Sequence, residues 1–152
     1  MIRDRTTIHP ELVTGSILLM EMGLLIQFLL GMSTNLFVRL PLIAPSLGMG
    51  SWMGSMGTMM SQSARSPLFM GHMVFGILLT IGAILTVILA AINSRATATV
   101  WGSLGLASIL VAGYSGLGYV FGGHHHGDSF TMAVGWLVAS IAYGMALRES
   151  GT

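Results

Sequence analysis

The chain has 152 residues, enough for one domain over 1–152, with 53% hydrophobic and 7% charged side chains and a net charge of +1. Soluble domains carry about a quarter charged residues, so six basic and five acidic groups cannot clothe a water-facing surface. Without a clustered basic face there is no nucleic-acid interface, and the absence of cysteine excludes disulfides, iron–sulfur clusters, thiolate metal sites and cysteine nucleophiles.

The composition predicts an all-α integral membrane protein. No A-x-A-type cleavage site follows the first apolar run, so that run is expected to be mature structure rather than a signal peptide. The first span is predicted over about 12–38, interrupted by Glu21, Gln27 and Asn35. It exceeds the roughly 20 residues a bilayer needs, and Arg39 and Pro41 end it. Arg39 has the reach to snorkel or to bind a lipid phosphate.

Residues 42–67 form a long first loop. Seven of the thirteen methionines lie between Gly48 and Met73. Met49, Met53, Met56 and Met60 share one helical face, and Ser51, Ser55, Thr58 and Gln62 take the opposite one. The pattern predicts an amphipathic interfacial helix with Trp52 and the methionines in the acyl boundary. The same thioethers are soft ligands suited to Cu(I), the second reading of this loop. The loop is no phosphate cradle, because it lacks the lysine and the strand context of a P-loop.

Ser66 and Pro67 read as an N-cap and first helical residue, opening a second span over about 68–92. His72 lies in its first turn or so, with Gly76 four residues on. That H-x-x-x-G pattern on an apolar helix is similar to helices of small b-type cytochromes and of haem-A-synthase halves, over about one helix. The resemblance implies His72 as an axial ligand of haem b, with room beside Gly76 for a flat macrocycle. The alternative is an interfacial histidine bonded to loop carbonyls.

Asn93, Ser94 and Arg95 connect to a Gly-rich third span over about 99–121, and GGHHHGD leads to a fourth over about 129–147, capped by Asp128 or Ser129. His124, His125, His126 and Asp128 are candidate metal ligands or else a solvated polar turn. Ser108, Ala112 and Gly116, Gly135 with Ala139, and Ser140 with Gly144 recur four residues apart, a spacing that lets helix backbones approach in lipid.

Short connections predict an antiparallel four-transmembrane-helix bundle. Placing the N-terminus inside puts Arg3, Arg5, Arg95 and Arg148 in the cytoplasm against Arg39 and Arg65 outside. The expected location is a plasma or inner membrane with both termini cytoplasmic, which sets the methionines, His72 and the triple histidine on the outer face. Glu21 is a carboxylate inside a span, where an ionised group is costly, so it is neutral, paired or facing a wet interior; Asn35 lies on nearly the same face.

Three functions follow, in order. The first is a non-catalytic accessory or structural subunit of a larger redox, transport or light-driven complex, partnered by lipid and by other membrane subunits or copies of itself. The second is a haem b or copper protein using the histidines and methionines. The third is a small oligomeric proton or cation transporter built on Glu21 and Asn35.

Overall fold

Backbone N–H and C=O groups have no water to bond inside hydrocarbon, so an apolar chain of this kind satisfies them within helices. The computed structural model describes residues 10–38, 54, 57, 61, 66–121 and 125–150. Among these are four long helices and no strand: α1 (Pro10–Phe37), α2 (Pro67–Ile92), α3 (Ala96–Phe121) and α4 (His126–Ser150). Each is long and apolar enough to cross a membrane. At 25 to 28 residues they measure about 38–42 Å, more than the roughly 30 Å of a hydrocarbon core.

The ends fall within three residues of the predicted ones. Ser66 is the cap of α2: its backbone is extended and its hydroxyl accepts from the Phe69 N–H at 3.4 Å, with Pro67 in the first turn. The fourth helix corrects its expected cap. It starts at His126, and the Asp128 N–H already donates to His125 O at 3.1 Å. Asp128 is a first-turn residue, where a carboxylate suits the positive end of the helix dipole.

The α2–α3 connection is a Schellman turn. Arg95 N donates to Ala90 O and Ser94 N to Ala91 O, both at 3.0 Å, and Asn93 Nδ2 returns to Leu89 O at 2.8 Å. Ser94 stands in the left-handed region at φ 57°, a place glycine usually fills. Ser94→Gly is therefore expected to raise stability by about 0.5–1 kcal/mol, the left-handed penalty relieved less the extra entropy of glycine. A higher melting temperature in detergent checks it.

Helix α1 packs against α2 and α4, and α3 likewise against both; the α3–α4 seam is the most extensive of these contacts and α1–α4 the slightest. Large residues face small ones. From one end of the α1–α2 seam to the other, a Cβ at Gly82 would meet Met20, one at Gly23 would meet Leu79, one at Gly76 would meet Gln27, and one at Gly31 would meet His72. Numbers rise along α1 as they fall along α2, so the pair is antiparallel. In the α3–α4 seam Tyr143 lies over Gly105, Met132 over Gly116 and Asp128 over Gly118, again in opposite order.

The interior is asymmetric. Helix α1 supplies Val13, Ile17, Met20 and Leu24 at 4-3-4 spacing, while much of what meets them is alanine: Ala83, Ala90, Ala98, Ala139 and Ala146. The larger members from the other helices are Leu79, Ile109 and the fully buried Tyr143. Outward faces are apolar on every helix, with Leu19, Ile77, Val100 and Phe130 all more than half exposed. That surface suits lipid.

Candidate functional site

The polar side chains within the spans fall into two groups. The first joins α1 to α2. Gln27 Nε2 donates to His72 O at 3.2 Å. Thr34 Oγ1 reaches Leu30 O at 2.8 Å and Leu68 O across the seam at 3.4 Å. The imidazole edge lies 3.0 Å from where a Gly31 Cβ would be. Leu68, His72 and Gly76 are one turn apart on α2 and oppose Thr34, Gly31 and Gln27 on α1, so the clasp follows from two helical repeats run in opposite directions. Two of its atoms, Gln27 Oε1 and His72 Nδ1, are buried without a partner.

The second group joins α1 to α4. Trp136 Nε1 donates to Leu24 O at 2.8 Å, and its ring stacks on Phe28 with centroids 4.5 Å apart and planes at 29°. Glu21 Oε2 on α1 and Ser140 Oγ and Tyr143 Oη on α4 are buried and unpartnered.

Among the described residues, His72, His125, His126 and Asp128 are not brought together. The space beside Gly76 holds the Gln27 amide, 3.0 Å from the position a Cβ would take, so it is not open to a flat macrocycle. His72 is turned into the α1–α2 seam, whereas His125 and His126 are exposed at the start of α4. Asp128 points back at Gly118, 3.3 Å from its Cβ position. Among the described residues no three His, Asp or Glu side chains come together as a metal site. His124, Met49, Met53, Met56 and Met60 lie outside the described residues. Of that loop, Gly54, Gly57 and Ser61 are helical and exposed, at positions that share a face.

Glu21 and Asn35 do not meet either. Fourteen residues separate them, about 21 Å along a helix, and Asn35 is exposed while its neighbour Thr34 is buried. A shallow depression of about 110 Å³ lies between Arg95–Ala98 and Glu149, where the α2–α3 turn meets the end of α4. Ligand clefts begin at about 300 Å³.

Some seam residues escaped the sequence reading. Trp136, Leu24 and Phe28 are the ones missed; with Ser140 and Tyr143 on α4 and Glu21 on α1 they repeat at complementary 4-3 and 3-4 spacings, the signal that could have matched them. The small-residue pattern fares better on α3: Gly135 stands 2.9 Å from Ser108 O and 3.0 Å from Ala112 Cβ, measured from its ideal Cβ. Ser140 and Gly144 part company, since Gly144 is exposed with nothing near it. Comparison with known proteins finds no matching family model, no matching curated protein and no matching solved structure.

Proposed function

We propose that this chain is a non-catalytic subunit of a larger membrane assembly. In this reading the four helices form one antiparallel bundle, and the first loop lies along the membrane interface as an amphipathic helix. Both termini face the cytoplasm, as the arginine distribution favours. The observation that carries the reading is the free side of α1. Leu12, Gly15, Leu19, Met22, Ile26, Leu29, Ser33 and Leu36 repeat at strict 3-4 spacing, and all but the half-buried Ser33 are exposed. Such a stripe fits knobs-into-holes packing against a partner helix. Helix α1 is also the helix with the slighter contacts to its neighbours, which leaves this side uncovered.

The polar groups support the same reading. Gln27, Thr34 and Trp136 hold helices to one another, a structural employment rather than a chemical one. The test is purification from native membranes in mild detergent with an absorption spectrum. The full chain is expected to elute with a larger membrane assembly. Leu19→Trp with Leu29→Trp should weaken that association about tenfold, equivalent to about 1.4 kcal/mol, while the isolated chain melts as before. Elution of the wild type alone, or unchanged association of the double variant, would sink the proposal.

A further inference from the structure

Glu21 Oε2 on α1 and Ser140 Oγ and Tyr143 Oη on α4 are buried without a hydrogen-bond partner, the Tyr143 ring lying against Gly105 of α3. The register of the seam is set by Trp136, which donates to Leu24 O and stacks on Phe28. Glu21 precedes Leu24 by three residues and Phe28 by seven, so it shares their side of α1. Ser140 follows Trp136 by four and Tyr143 follows it by seven, so both share its side of α4. Because α1 and α4 run in opposite directions, one turn back from Leu24 and one turn on from Trp136 reach the same level. Glu21 and Ser140 therefore stand across from each other. Tyr143 is within about one turn, and its side chain leans toward the start of α4, the direction of Ser140.

This level is near the middle of both helices, where Glu21 and Ser140 are half-buried. Glu21 lies about 17 Å along α1 from Pro10, and Tyr143 is fully buried. No charged side chain of α2, α3 or α4 shares it. Arg95, Arg148 and Glu149 lie at the helix ends beside the chain termini, with Glu11 of α1, while His72 and Asp128 lie toward the opposite ends of their helices. From α4 the groups that face Glu21 are the two hydroxyls.

We propose that Glu21, Ser140 and Tyr143 form a proton-exchanging site inside the membrane. Glu21 Oε2 takes a proton from water and forms an O–H bond. None of the three atoms is bonded to another as they stand; on protonation a side-chain rotation lets that O–H donate to the hydroxyl oxygen of Ser140 or Tyr143, each of which has acceptor lone pairs, and its release returns the proton to water. An ionisable group at this depth is costly to keep and characteristic of proton relays. The assignment is independent of whether the chain docks in a larger assembly.

Dicyclohexylcarbodiimide, a lipophilic reagent that adds the O–H of a protonated carboxyl across its C=N bond, tests this on the full chain in liposomes. The expected result is one adduct, mapped to Glu21 by peptide mass and absent in Glu21→Gln. The pH of half-labelling is expected to move in Tyr143→Phe or in Ser140→Ala. Sodium at fixed pH should not protect. No adduct at Glu21 at any pH, or a labelling profile unchanged in both hydroxyl variants, would overturn the site, the second result meaning a carboxyl that merely faces lipid. Protection by sodium would overturn the proton in favour of a cation. Peptide mapping on the wild type keeps the test valid if Glu21→Gln does not fold.

Discussion

Gly135→Val is expected to destabilise the protein by about 3 kcal/mol, the upper part of the range for forcing extra methyl groups into a packed interior. The reason is what the new side chain would meet. Its Cβ would lie 2.9 Å from Ser108 O and 3.3 Å from Ala112 N, both backbone atoms of α3, as well as 3.0 Å from Ala112 Cβ. A clash with a flexible side-chain end is relieved by a rotamer change, as Leu79 can do for Gly23. A clash with backbone is relieved only by moving a helix, and here the helix belongs to the most extensive seam of the protein. Unfolding of the purified variant in mixed micelles measures the cost. A substitution at Gly144, which is open to its surroundings, should cost far less in the same assay. Equal effects at the two sites would refute the account of the α3–α4 seam.

Tyr143→Ala should cost about 3–5 kcal/mol, the range for deleting a fully buried aromatic ring. Tyr143 has no exposed surface, and its ring fills the space a side chain at residue 105 would need, with Cε2 only 2.6 Å from the Gly105 Cβ position. The two positions are therefore coupled. Gly105→Ala alone should destabilise by about 1–3 kcal/mol through overpacking, whereas in the Tyr143→Ala background it should be nearly neutral or restore some stability. A double-mutant cycle reads that difference directly. Additive effects would mean that the ring does not lie over Gly105. Tyr143→Phe separates packing from chemistry: it keeps the ring and removes only the hydroxyl, so it should cost far less than Tyr143→Ala.

Much of the fold was legible because hydrocarbon is an undemanding solvent to read. A run of more than about 20 apolar residues has few options besides a helix, and punctuation such as Ser66-Pro67 and Asn93-Ser94-Arg95 marks where each one stops. The cap of α4 was misplaced because Asp128 serves equally as a cap and as a first-turn acid, and only the backbone, helical from His126 with the Asp128 N–H bonded to His125 O, distinguishes the two.

The candidate site was less legible. His72 stood out as a lone histidine with an apparently open Gly76 beside it, and the sequence had no way to show that Gln27, forty-five residues earlier, occupies that opening. Glu21 stood out too, but Asn35 was paired with it by helical phase on a single helix. The partners proposed for it above, Ser140 and Tyr143, come from a helix more than a hundred residues later.

By itself, then, the sequence determined the elements and their environment: four apolar helices, few charges, and glycine and alanine where backbones would meet. Periodicity along one helix is a local property, and local properties survive translation into structure. What only the tertiary structure decided is the pairing of faces. Which side of α1 meets α2 and which meets α4 depends on fitting Met20, Gln27 and Trp136 against glycines and carbonyls on other helices. That fit is a property of surfaces brought together from distant parts of the chain. It turns His72 into a clasp and leaves Glu21 Oε2 buried without a partner.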